Sequence, residues 1–238
     1  MLKRFLCLLL LLALLPCAGT AETVRGYEKG EEYQYVVFGR YPYDEDGTVK
    51  PLLWRVLIVR DGVAFMITDA IIDFIQYNLV KDTDKNDPLD YPDSLIAQYC
   101  LGEGLRTMFT AEEQTALTDM GGGRGVLSLA TTEELQNPET GFSRAKYTVD
   151  KRRHAKGTPY AYAKGLKKIV AQGYSWYWTA DWRRLGFRWI VGDNGHISCV
   201  GSDRFGGLRP VIYADLSKVQ NASGKGTADD PYVWELTQ

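Results

Sequence analysis

The stretch Leu52–Thr68, LLWRVLIVRDGVAFMIT, can fold in very few ways. Two β-rich runs, Leu52 to Val59 and Val63 to Thr68, flank the dipeptide Asp61-Gly62. Asp-Gly accepts the positive φ angles that a two-residue hairpin turn demands, so the runs are expected to pair antiparallel. Strand alternation places Trp54, Val56 and Ile58 on one face. A sheet with at least one buried face must therefore organise the chain. Further strand-like runs lie at 33–38 (YQYVVF), Val126–Ala130, Ile197–Val200 and Leu208–Leu216.

Helix signals are fewer. Asp93 or Ser94 can cap a helix running to about Leu101. Thr110-Ala-Glu-Glu113 is a capping box, in which the threonine oxygen accepts a backbone amide and the glutamate reaches back. Its helix is expected to end before Gly121-Gly122-Gly123. Thr131-Thr-Glu-Glu134 repeats the pattern. Thr158-Pro159 opens another helix, since proline suits the first helical position, and Gly173 is expected to close it. Asp193-Asn194-Gly195 reads as a tight turn. Residues 22–238 contain no repeat and no linker, which points to one α+β domain.

The first residues have the form of a secretory signal. Lys3 and Arg4 precede an 11-residue apolar run, Phe5–Leu15, too short to span a bilayer; Gly19 and Ala21 are small residues at cleavage spacing. Cleavage after Ala21 is expected, with lipidation at Cys17 or a retained anchor as alternatives. The remaining 217 residues would carry a formal charge of −4 instead of −2, because Lys3 and Arg4 leave with the leader. An acidic balance argues against nucleic acid, which needs a basic face. No later run reaches membrane length. Of four cysteines, Cys100 and Cys199 lie beyond the leader. They can pair outside the cytoplasm or sit apart as small buried residues, and spacing does not decide between these.

Four of six tryptophans fall in GYSWYWTADWRRLGFRWIV, residues 173–191. Tyr174, Trp176 and Trp178 alternate with Ser175 and Tyr177 and read as core. Phe187, Trp189 and Val191 alternate with Arg188 and Ile190 and read as core too. Trp182 stands between Asp181 and Arg183-Arg184 in a stretch expected to be irregular. It is either a lid over the core or a platform for a ligand. Ring area and planar guanidinium hydrogen bonding suit sugars and peptides. The candidate ligand contacts are Trp182, Arg183 and Arg184, with Trp178 carried alongside them.

Several phrases, in order, resemble a known family: VVFGRYP, LLWRVLIVRDGVAFMIT, FTAEEQTAL, VLSLATTEEL, TPYAYAKG, WYWTADW and GLRPVIYADL. Together they resemble the DUF6273-type bacterial secreted domains over residues 33–216, leaving 217–238 as a C-terminal extension. Such domains are distantly similar to C-type-lectin-like folds, which include formylglycine-generating enzymes and variable ligand-binding proteins. The resemblance implies a mixed sheet with a few short helices, and a late loop region where ligands are met. Where the family often has Trp-x-Arg-Ser, this chain has Trp178-Thr179-Ala180-Asp181, so an arginine-dependent contact at Ala180 is not carried over.

Catalytic patterns are weak. His154 sits in a basic stretch and His196 after a turn, and no nucleophile elbow accompanies them. No zinc spacing exists. Cys100 and Cys199 do not map onto the metal-binding cysteine pair of formylglycine-generating chemistry. Asp82, Asp84 and Asn86 alternate as in a calcium loop, but Asp87 stands where a glycine is needed. The glycines of GGGRG lack the lysine of a phosphate loop. The expectation is a secreted, non-catalytic module binding a glycan, cell-wall or peptide ligand without cofactor or metal. An extracellular enzyme is the alternative.

Overall fold

The hairpin at Asp61-Gly62 forms as expected in the computed structural model, which describes residues 24–81, 90–168 and 172–237. Asp61 takes φ of 51° and Gly62 75°. The strands in chain order are β1 (Gln34–Pro42), β2 (Val49–Arg60), β3 (Val63–Thr68), β4 (Asp73–Gln76), β5 (Leu117–Thr118), β6 (Leu127–Leu129), β7 (Tyr177–Arg184), β8 (Phe187–Val191), β9 (Ile197–Gly201), β10 (Phe205–Leu208), β11 (Pro210–Asp215), β12 (Val219–Ser223) and β13 (Tyr232–Leu236).

They make two sheets. The larger runs β12-β13-β1-β2-β3-β11-β5, with β6 also paired to β11; the smaller runs β4-β10-β7-β8-β9. With a few short helices, this is a single mixed α+β domain. Residues 219–236 are part of the large sheet, because β13 inserts between β12 and β1 and runs parallel to β1.

One apolar cluster holds Trp54, Val56, Met66, Cys100, Phe109, Trp178 and Ile212. A second, on the other side of the large sheet, holds Leu57, Phe65, Ile67, Ile71, Tyr177, Val191 and Val211. The expected face Trp54–Val56–Ile58 breaks after Val56. There β2 carries an extra residue, so Val56 opposes Met66 while Ile58 opposes Phe65. Such a bulge turns the strand, and Ile58 packs against the second cluster instead.

The helices depart from expectation in length. Ser94 caps Leu95–Tyr99, accepting from Ala97 N at 3.2 Å. The helix does not stop near Leu101: a π turn over Cys100–Gly104 leads into Leu105–Met108. Glycine weakens a helix interior by about 1 kcal/mol without forbidding it, and the buried Ile96, Ala97, Cys100 and Met108 hold this one in place. The Thr110 capping box is complete, yet its helix is only Ala111–Gln114. The chain is needed two residues later for β5, which pairs with β11. The Thr131 box is also complete, with Glu134 N to Thr131 at 3.1 Å and Thr131 N to Glu134 at 2.7 Å, and leads into a 3-10 turn, Glu134–Gln136. Thr158 caps Pro159–Ala163, which ends before Gly165 (φ 113°) and not at Gly173.

The expected strand Leu208–Leu216 is divided. Leu208 ends β10 in the small sheet, and Pro210 begins β11 in the large one. Arg209 lies at the crossing, fully buried. No helix among the described residues is long and apolar enough to cross a membrane. The expected leader lies outside the described residues.

Candidate functional site

The β7–β8 hairpin carries the sequence candidates and sorts them onto two faces. Tyr177 opposes Val191 and Trp178 opposes Ile190, but Trp182 opposes Arg188 and Arg184 opposes Phe187. Directly opposed residues share a face. The Trp182 ring therefore lies on the side of Arg188, Ile190 and Trp178. Extra residues before and after Trp182 bend the strand and bring Arg183 and Arg184 onto the other side. There Arg183 sits 4.8 Å from the Trp189 ring and Arg184 4.5 Å from the Phe187 ring. Trp182 and its two arginines thus do not form one contiguous contact.

Trp182 belongs to the end of β7, not to an irregular stretch, and is 48% exposed. It is the only exposed tryptophan of the six. Trp178 is 0% exposed and donates its indole N–H to the Ile75 carbonyl at 3.3 Å, so it offers no surface to a ligand. The expected core face of β8 is also corrected. Val191 is buried, but Phe187 and Trp189 are only half-buried, whereas Arg188 is 1% exposed and stacks 5.1 Å from Tyr77. An arginine can turn inward when an aromatic face receives it.

Phe187 and Trp189 each carry two cations. Lys81 lies 4.3 Å from the Phe187 ring that Arg184 also contacts, and Lys146 lies 3.9 Å from the Trp189 ring that Arg183 also contacts. None of these four cations has a carboxylate partner among the described residues. Among the described residues this face gathers four cations in a chain that is acidic overall.

The buried Asp73 is committed to structure: it accepts from the Tyr41 hydroxyl at 2.7 Å and pairs with Lys164 at 2.7 Å. Tyr41 also bonds Tyr99. Burial, with Asp73 beside it, pushes the Tyr41 hydroxyl far above its ordinary range, and burial raises Tyr99 as well. Both hydroxyls stay protonated near neutral pH. The histidines stand near one turn. A cleft of about 400 Å³ is lined by Lys151, His154, Tyr174 and Asp193, among others, with the His154 and Tyr174 rings 4.4 Å apart. His196 bonds Asn194. No serine, threonine or cysteine lines that cleft.

The cysteines do not pair. Cys100 is buried in the helix and Cys199 is half-buried on β9, where Arg183 lies 3.9 Å from its sulfur. Burial pushes the Cys100 thiol up to about 12. Among the described residues no cluster of His, Cys, Asp and Glu could hold a metal. Asp82, Asp84 and Asn86 lie outside the described residues.

A groove missed by the sequence reading runs beside the outer side of the large sheet. One part, about 410 Å³, is lined by Val63, Phe65, Thr118 and Tyr213. A second, about 810 Å³, is lined by Arg124, Thr131, Thr132 and Gln136. Glu134 and Asn137 border both. The Thr131–Glu134 capping box and the short turn Pro138–Thr140 that follows it, capped by Asn137, build its wall. The sequence signal at Thr131 announced a helix start and gave no hint that a cleft lay between it and β11.

No family model matches this chain, and no curated protein or solved structure matches it.

Proposed function

We propose that this is a secreted, non-catalytic binding module whose contact surface is the β7–β8 hairpin and whose ligand is an acidic glycan, cell-wall fragment or peptide. One observation carries the reading: the sole exposed tryptophan caps a hairpin whose other face displays Arg183, Arg184, Lys81 and Lys146 without carboxylate partners among the described residues. Cations held against rings are already partly ordered, which lowers the entropic cost of engaging an anion. A lectin-like fold and a place among the DUF6273-type domains belong to the same proposal. They are supported by the ordered phrases from VVFGRYP to GLRPVIYADL and by the two-sheet α+β architecture. Export is supported by the form of residues 1–21.

The test is an array of acidic and neutral glycans, peptidoglycan fragments and acidic peptides, probed with the wild-type protein, Trp182→Ala and the Arg183→Ala/Arg184→Ala double variant. The expected result is binding of an acidic ligand that reaches around the hairpin edge, lost in the double variant that removes its cationic contacts and weakened in Trp182→Ala. Full retention by both would move the site elsewhere. Turnover of any arrayed substrate would replace the reading with the enzymatic one.

A further inference from the structure

The groove beside the large sheet has a chemistry different from the cationic hairpin. Its apolar floor is the Phe65–Tyr213 pair, with ring centroids 5.1 Å apart and planes at 89°. The charges that reach inside are cancelled within the protein. Arg124 grips both oxygens of Glu134, at 2.8 and 3.0 Å; Arg60 and Glu139 pair at 3.0 Å but stand exposed at the rim. The unpaired lining charges stand exposed at the rim.

What remains inside is neutral hydrogen-bonding capacity. Asn137 uses its Oδ1 to accept from Glu139 N at 3.0 Å, which leaves its NH₂ donors unspent. The hydroxyls of Thr118 and Tyr213 make no hydrogen bond to the described residues. Burial raises the Tyr213 hydroxyl above its ordinary value, so it stays protonated and can both donate and accept.

An ionic ligand would need an unpaired opposite charge inside the groove, and the one inner carboxylate–guanidinium pair, Arg124–Glu134, is closed. A purely apolar ligand would strand the amide and hydroxyl groups, each at a cost. An aromatic floor flanked by neutral donors and acceptors instead matches a polyhydroxylated ring, with one apolar face and a hydroxyl rim. We propose that this groove binds an uncharged oligosaccharide, with a sugar face laid against Tyr213 and its hydroxyls toward Asn137 and Thr118. The inference does not rest on the hairpin reading, since Trp182 lines neither part of the groove.

The experiment is a titration of the purified protein with neutral gluco-, xylo- and N-acetylglucosamine hexasaccharides at millimolar concentration, read by saturation-transfer NMR and calorimetry. Val63→Arg places a long charged side chain in the groove from a half-exposed position, and Tyr213→Phe keeps the ring while removing the hydroxyl. Urea midpoints establish that both variants fold. Expected results are binding by at least one oligosaccharide, abolition in Val63→Arg, weakening of about tenfold or less in Tyr213→Phe, and no change in Trp182→Ala. The proposal is overturned if no neutral oligosaccharide binds, or if folded Val63→Arg binds as wild type does. Loss in Trp182→Ala with retention in Val63→Arg would also overturn it and would assign the sugar to the hairpin. A failure here leaves the acidic-ligand test of the hairpin untouched.

Discussion

Arg209 Nη1 donates to the Tyr177 hydroxyl at 3.0 Å, and that hydroxyl donates onward to the Arg153 carbonyl at 2.9 Å. Arg209 also reaches the carbonyls of Thr68 at 2.9 Å, Arg153 at 3.2 Å and Asp69 at 3.4 Å. It stands where the chain leaves the small sheet for the large one, and Tyr177 opens the central strand of the small sheet. One guanidinium thus satisfies carbonyls from several segments while its plane lies 5.0 Å from the Tyr177 ring. The carboxylate of Asp69, whose backbone carbonyl Arg209 reaches, is taken by Arg55 at 2.6 Å.

Arg209→Ala is expected to destabilise the protein by at least about 3 kcal/mol, because several buried acceptors lose their donor and a void opens. Arg209→Lys should recover only part of this, since an ammonium cannot fork between acceptors. Urea denaturation of the three proteins measures both. A loss below 1 kcal/mol, read against the usual range for point substitutions, would show that the crossing does not depend on this side chain.

The two tryptophans that stand four residues apart should behave as opposites. Trp178 is enclosed, stacks edge-on against Trp176 and Tyr77 at 5.0 Å, and donates to Ile75. Its replacement by alanine should cost about 3–5 kcal/mol. Trp182→Ala should cost less than about 1 kcal/mol, as exposed substitutions do. Unfolding midpoints decide the first comparison, and equal losses would contradict the assignment of faces on β7.

The free cysteines give a chemical check. In the native protein a thiol reagent is expected to modify Cys199, which is half-buried, and to spare Cys100, which is fully buried with a raised thiol. In a protein of residues 22–238, two equivalents should react after denaturation, without a reductant. If that protein, denatured without reductant, has no titratable thiol, the two are bridged.

Much of the fold was legible because its signals are local. Asp61-Gly62 specifies its turn whatever surrounds it, and each capping box needs only four residues. Lengths were not legible, since β5 takes up the chain after Gln114 by pairing with β11, almost a hundred residues away in sequence. Facing failed where a strand carries an extra residue: Leu57 turns Ile58 to the second cluster, and the bulges around Trp182 part it from its arginines. On β8 alternation was visible, but both phases held apolar residues. Only the tertiary partner Tyr77 reveals that Arg188 goes inward. The groove left no mark because its walls come from β3, β5, β11 and the turn after β6.

Asp181 offers a test in pH. Its carboxylate accepts from the Thr132 amide, but burial dominates and raises its pKa above the ordinary 3.8, with Glu134 adding repulsion. The native protein therefore holds this proton to higher pH than the unfolded chain does. Below the unfolded pKa both states are protonated, and the residue contributes no pH dependence. As pH rises from there through the raised native value, the native state binds more protons than the unfolded state, and stability falls. Above that value the penalty is constant. Asp181→Asn keeps an oxygen for Thr132 and removes the charge. It should match wild type in acid and exceed it at neutral pH, with the gap opening across the interval between the two pKa values. Urea midpoints of both proteins from acid to neutral pH check this, and a gap that opens in the reverse direction would mean that hydrogen bonding to Thr132 outweighs burial.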